Sequence, residues 1–171
     1  MELKVTPIGF VKNEFEREIP LNYHQHVSEV HILKEYADGL DGIEEFSHII
    51  VIYWMNRSRW DASAMKIHPM ANRDLPLVGV FATRSPIRPN PIGITTVRLL
   101  RREENVLFVR GLDAFNRTPV LDIKPYMLGY DLVRDMRFPV WVYMGMASLE
   151  EARRSDKKQT WQKEPEQWLE I

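Results

Sequence analysis

The sequence predicts a mostly β protein: a single small β-barrel domain with a few short helices and a C-terminal tail. Three observations carry that expectation. The apolar runs are short and rich in β-branched and aromatic residues. Turn formers interrupt them. Seven or so such runs fit within 171 residues, enough for one barrel or sandwich and too little chain for two comfortable domains.

In chain order, the candidate strands are Val5 to Val11, Glu29 to Leu33, His48 to Met55, Val78 to Ala82, Gly93 to Leu100, Val106 to Gly111 and Val140 to Met144. Within the fifth, Ile94, Thr96 and Arg98 share one face, and Thr95, Val97 and Leu99 the other, as in a strand with one buried side. Arg101 to Asn105 then reads as a hairpin turn. A short helix is expected from Glu35 to Leu40, ended near Gly42. A second is expected to open at Ser148, with Glu151 completing a capping box. Asn56 to Leu75 has no steady period and reads as a long surface loop, of the kind that is usually functional. The domain is therefore expected to occupy residues 1–147, with 148–171 a helical appendage docked by Trp161 and Trp168.

Composition narrows the chemistry. With 44% hydrophobic and 27% charged residues the chain is an ordinary globular protein rather than a disordered or fibrous one. A net charge of −1 does not suit a non-specific polyanion binder, so any nucleic acid must find a local patch. The absence of cysteine removes disulfides, thiolate metal sites and thiol nucleophiles. The five histidines show no metal-ligand spacing, and no metal is expected. The longest apolar run, Ile49 to Met55, is too short to cross a bilayer and no signal peptide opens the chain, so a cytoplasmic location without membrane contact is expected.

The most informative stretch is Phe81 to Gly93. Pro86, Pro89 and Pro91 each remove a backbone donor and extend the residue before them, giving a rigid connection that holds side chains at low entropic cost. From Phe81 to Arg102 there are five arginines and no acid, so the near-neutral total conceals a local basic patch. Guanidinium forks suit carboxylates and phosphates. For Arg84 and Arg88, pairing with framework acids is the plainer alternative. A second stretch, Gly111 to Tyr126, places Asp122 and Lys124 on one face of a possible strand, where a surface ion pair is the better reading from sequence alone. The turn Asn116-Arg117-Thr118-Pro119 offers backbone groups to a nucleotide-like ligand. A third stretch ends a buried strand at Asn56 and Arg57, on the rim.

These residues carry a resemblance. The runs Val80-Phe81-Ala82-Thr83-Arg84-Ser85-Pro86, Arg88-Pro89-Asn90-Pro91-Ile92-Gly93, Gly111-Leu112-Asp113 and Thr118 to Tyr126 resemble the YaeB-like family of S-adenosylmethionine-dependent tRNA methyltransferases, as do Tyr36 to Leu40 and Phe46-Ser47-His48. The resemblance covers roughly Val5 to Tyr126. It implies a β-barrel methyltransferase working as a homodimer, with S-adenosylmethionine bound near the subunit boundary. The implied substrate is tRNA, whose threonylcarbamoyl-modified adenosine beside the anticodon is methylated on its exocyclic amine. Carried over by position, cofactor contacts fall on Tyr23, His24 and Gln25, on Asn56 and Arg57, on Arg84 and Ile94, and on Arg117, Thr118, Pro119 and Val120. Asp122 or Tyr126 is the expected acceptor of the amine proton, with Arg88, Arg98 and Lys124 on RNA phosphates. The chain departs from the family at Asn56, where a histidine is frequent, and at Asn116-Arg117, where an Asp-Gly turn is common. If that turn needs positive φ, Arg117 is strained. A domain that holds S-adenosylmethionine without methylating RNA is the competing expectation.

Overall fold

A computed structural model describes residues 4–61 and 65–161, with side chains described as far as Glu151. Strands β1 (Gly9–Lys12), β2 (Val27–Ile32), β3 (His48–Trp54), β6 (Ile92–Glu103), β7 (Val106–Arg110) and β8 (Pro119–Pro125) form a closed barrel in the order β1-β2-β7-β6-β3-β8. Strands β4 (Lys66–Ile67) and β5 (Val78–Gly79) pair as a separate ribbon. Every barrel pairing is antiparallel, and β1 on β8 closes the ring so that no edge is left open.

The alternation in the sequence explains the barrel's interior. Val11, Val30, Ile32, Ile49, Val51, Val97, Leu99, Leu107, Val109 and Val120 turn inward and are nearly inaccessible, while most of their chain neighbours are more exposed; Ile50, between Ile49 and Val51, is buried as well. Leu40, from the 3₁₀ turn Lys34–Leu40, and Leu112 and Ala114, from the β7–β8 connection, join this core. Two irregularities help the sheet to curve shut. Leu100 is extra between the β6–β7 pairs, and Leu121 between the β3–β8 pairs.

The structure corrects several sequence expectations. Val140 to Met144 is not a closing strand but the first turns of helix α2 (Val140–Trp161), which runs unbroken past residue 147. The barrel closes without it because Pro119–Pro125 supplies the sixth strand. Ser148 does not cap a helix start; its hydroxyl bonds back to the Met144 carbonyl at 3.0 Å, in mid-helix. Val78 to Ala82 is strand only over two residues before a 3₁₀ turn, Val80–Ala82. The expected helix near Glu35 is that 3₁₀ turn, and the hairpin turn tightens to Glu104-Asn105, with Glu104 at φ 52°. The long loop after β3 carries β4 and a kinked turn with Met70 and Ala71 at positive φ, packed where Gly145 of α2 is buried against Met70 and Leu75. A short helix, α1 (Leu128–Asp131), precedes α2. Trp168 lies outside the described residues, as does the side chain of Trp161. Among the described residues no helix is long and apolar enough to cross a membrane.

Candidate functional site

One end of the barrel opens into a cavity of about 680 Å³. Four segments meet there: the end of β3 with Asn56, Arg57 and Ser58; the proline-rich loop with Arg84, Pro86 and Arg88; the start of β6 from Ile92 to Thr96; and the β7–β8 connection from Asp113 to Thr118. Ile19 and Tyr23 of the β1–β2 connection complete the wall. The cavity exists because the chain leaves the barrel at the same end after β3 and β7 and re-enters there to begin β6.

The proline-rich loop is held by its own side chains. Arg88 donates to the carbonyls of Thr83 (2.7 Å) and Val80 (3.0 Å), and the Ser58 hydroxyl donates to the Pro86 carbonyl (2.6 Å). Met55 N–H donates to the Pro91 carbonyl at 2.7 Å, fastening the loop's end to β3. Arg84 donates through one Nη to the Ile94 carbonyl at 2.9 Å. Among the described residues neither arginine pairs with a framework acid: Arg88 takes carbonyls of its own loop and Arg84 the Ile94 carbonyl of β6.

Arg57 performs the same task on the opposite wall. Its guanidinium donates to the carbonyls of Glu16 and Asn116, approaches the Glu16 carboxylate at 3.7 Å and lies 4.5 Å over the Phe115 ring. Asn116 in turn donates to Glu16 Oε1 and accepts from Asn13 N–H. The turn at Asn116-Arg117 does require a left-handed residue: Arg117 has φ 65°. Its N–H donates to the Val11 carbonyl at 2.8 Å, and Thr118 N–H to the Phe115 carbonyl at 3.2 Å. These amides therefore lock the barrel end.

Of the residues carried over by resemblance, Tyr23, Asn56, Arg57, Arg84, Ile94 and Thr118 line the cavity. His24 and Gln25 follow Tyr23 in a 3₁₀ turn but are not in the lining; nor are Arg117, Pro119 and Val120, the last fully buried in the core. Asp122 and Tyr126 lie along β8 and just past it, away from the lining. Asp122 holds Lys124 at 2.7 Å, the surface ion pair that the plainer reading anticipated. Arg88 faces the cavity and Arg98 the barrel's exterior.

The expected basic patch is divided by the fold. Arg101 pairs with Glu103 at 2.7 Å and lies 3.5 Å over Phe108, and Arg102 holds Asp41 at 3.0 Å and Glu44 at 3.5 Å. Arg98 instead stands directly across from Arg110 on β7, and from His48 on β3.

Two ionisable lining residues escaped sequence reasoning. Tyr53 is buried, donates its hydroxyl to the Asp113 carbonyl at 2.5 Å and contacts Thr95 Oγ1 at 3.1 Å. Burial pushes its pKa up to about 12, so the hydroxyl stays protonated at neutral pH. Asp113 is the one acid among the described lining residues. Loss of water around its carboxyl raises its pKa, and the Arg84 charge opposes that rise. The only sequence signal for Tyr53 was its place in the strand leading to Asn56; for Asp113, its place in the Gly111-Leu112-Asp113 run. Among the described residues no group of three or more histidines and acids could hold a metal.

Comparisons with known proteins agree with this geometry. Residues 12–132 match the family model described as "tRNA-methyltransferase O N-terminal domain". An "S-adenosyl-L-methionine-binding protein" of Archaeoglobus fulgidus is 45% identical over 134 residues, covering 76% of this chain and 94% of that one. A "Probable S-adenosyl-L-methionine-binding protein" of Methanothermobacter thermautotrophicus is 42% identical over 130 residues, covering 74% and 91%. The crystal structure of TrmO from Pseudomonas aeruginosa superposes with a TM-score of 0.63 at 32% identity, covering 80% of this chain and 61% of that one. This chain thus matches about three fifths of the solved TrmO chain and nearly all of its small archaeal relatives. The match begins at the last residue of β1 and takes in the other five barrel strands and every segment that walls the cavity, and the chain belongs to the tRNA-methyltransferase O N-terminal domain family.

Proposed function

We propose that this chain is an S-adenosylmethionine-dependent methyltransferase acting on tRNA, and that it methylates the exocyclic amine of threonylcarbamoyl-modified adenosine beside the anticodon. The observation that carries the reading is the barrel-end cavity, walled by the segments through which the chain matches its family. The residues present fit the cofactor. About 680 Å³ lies within the range of small-molecule sites, and apolar Ile19, Met55 and Phe115 alternate with polar Asn56, Arg84, Asp113 and Thr118, as a nucleoside bearing an amino-acid arm requires. When bound, S-adenosylmethionine supplies an electrophilic methyl group on sulfur.

The protein's part is position and exclusion of water. The rigid proline-rich loop and Arg57 hold the two walls at a set separation, so little ordering remains to be done on binding. Asp122 and Tyr126, the acceptors expected for the amine proton, stand outside the cavity lining. For the RNA, the outward face of β6 runs Ile92, Ile94, Thr96, Arg98, leading from the mouth to the Arg98–Arg110 pair about 7 Å beyond Thr96. Like charges directly opposed on a sheet are unfavourable, and among the described residues neither arginine has an acidic partner. A phosphate backbone would relieve that repulsion.

The homodimer belongs to the same proposal. Leu128 (73% exposed), Tyr130 (84%) and Val140 (74%), with Val133 and Met136 between them, leave a concentration of exposed apolar side chains on the segment after β8. Such a face suits a second copy of the barrel, and we place the chain in the cytoplasm with its tRNA.

The test is transfer of labelled methyl from S-adenosylmethionine to tRNA with and without the threonylcarbamoyl group. Incorporation into the modified tRNA alone is expected. Bound cofactor with no incorporation would leave a cofactor-binding domain without this activity. Arg84→Ala should weaken cofactor binding at least about tenfold, a charge-assisted contact's worth, whereas Arg102→Ala should leave it unchanged and lower stability instead.

A further inference from the structure

We infer that Arg84 and Asp113 together form a subsite for a zwitterionic α-amino-acid group, Asp113 taking the ammonium and Arg84 the carboxylate. The inference rests on the reading of the cavity as the S-adenosylmethionine site and assigns the end of the ligand that these two residues read.

The argument begins with which charged groups in the cavity are already committed. Arg57 is bound to two carbonyls and a carboxylate, and Arg88 to two carbonyls. Arg84 gives only one contact, to the Ile94 carbonyl, and a guanidinium has five donors. Asp113 is anchored through its main chain, whose carbonyl accepts the Tyr53 hydroxyl at 2.5 Å. Its carboxylate makes no hydrogen bond or ion pair among the described residues. The two side chains are close enough that the charge on Arg84 acts on Asp113, yet they are not joined to one another.

Arg84 and Asp113 are both exposed on the cavity wall, Arg84 with donors to spare beyond the Ile94 carbonyl and Asp113 with a carboxylate that no described residue pairs. That arrangement selects among ligands. A phosphate or lone carboxylate would meet Arg84 but be repelled by Asp113, and a simple amine would meet the reverse. A group carrying both charges on one carbon satisfies both residues at once. Tyr53, kept protonated by its burial, holds the Asp113 backbone in place without competing for the ammonium.

The test uses the full chain and two nucleosides that differ by this group and one methylene: S-adenosylhomocysteine, which has the amino-acid end, and 5′-methylthioadenosine, which lacks it. Calorimetry on the wild-type protein should show S-adenosylhomocysteine binding at least about tenfold more tightly, from hydrogen bonds to charged groups. Asp113→Asn and Arg84→Gln should each remove about tenfold of the S-adenosylhomocysteine affinity and shift 5′-methylthioadenosine by less than about twofold. Equal loss for both nucleosides, or no loss for either, would overturn the subsite. Decarboxylated S-adenosylmethionine tests Arg84 without any variant of Asp113: it should bind the wild-type protein more weakly than S-adenosylmethionine, and Arg84→Gln should erase that difference. Equal affinity of the wild-type protein for the two nucleosides would refute the subsite alone. Binding of neither would refute the cofactor reading of the cavity and the subsite with it.

Discussion

Asp113 and Gly93 show how single residues set the site. Because the folded carboxyl of Asp113 is harder to ionise than the unfolded one, the native state binds more protons between the unfolded value, about 3.9, and the raised native value. Its contribution to stability is present below that window and lost as pH rises through it. Asp113→Asn, which has no charge to desolvate, should therefore melt higher than the wild type at neutral pH, and the gap should close below about pH 4 in a pH series of thermal melts. Gly93 lies opposite Tyr53 across β3 and β6, and a Cβ there would run into the Tyr53 ring. Gly93→Ala should cost about 1–3 kcal/mol by overpacking and, by moving Tyr53, disturb Asp113; chemical denaturation with parallel cofactor titration measures both. The glycine was visible in the sequence as the end of the proline-rich run, but the reason for it was not, since its neighbour in space is forty residues away in the chain.

The proline-rich connection is the element on which sequence and structure agree most closely, because three prolines act on their own backbone and need no distant partner. Its arginines were harder to read: Arg84, Arg88, Arg98, Arg101 and Arg102 have one chemistry and nearly adjacent numbers, yet they hold carbonyls, acids or nothing according to which strand lies opposite. Strand β8 was left open in the sequence, its Asp122–Lys124 alternation fitting a strand and also a plain surface ion pair. On the outer face of β6 and β7, Arg98→Gln and Arg110→Gln should each weaken tRNA binding and flatten the slope of log affinity against log salt by about 1, with cofactor affinity unchanged. Equal slopes for wild type and variants in a salt titration would remove this face from the RNA path.

For the molecule as a whole, the exposed apolar segment after β8 is the feature least compatible with an isolated barrel in water. The double variant Tyr130→Glu with Val133→Glu should sediment as a monomer at concentrations where the proposed wild-type dimer forms, with the barrel's circular dichroism unchanged. Much of the architecture was determined by the sequence alone: alternation along Gly93 to Leu100 and the short β-branched runs require a one-sided sheet, and the prolines and Arg117 mark turns, because all of these depend on residues near one another in the chain. Val140 to Met144 was misread as a strand because it is apolar and partly β-branched, whereas it forms the start of α2, whose Gly145 packs on Met70 and Leu75. The tertiary structure alone decided which of the candidate residues share the cavity: closing the ring sets β3, β6 and the β7–β8 connection side by side, bringing Tyr53, Arg84 and Asp113 together while sending Asp122, Lys124 and Arg98 to the outside.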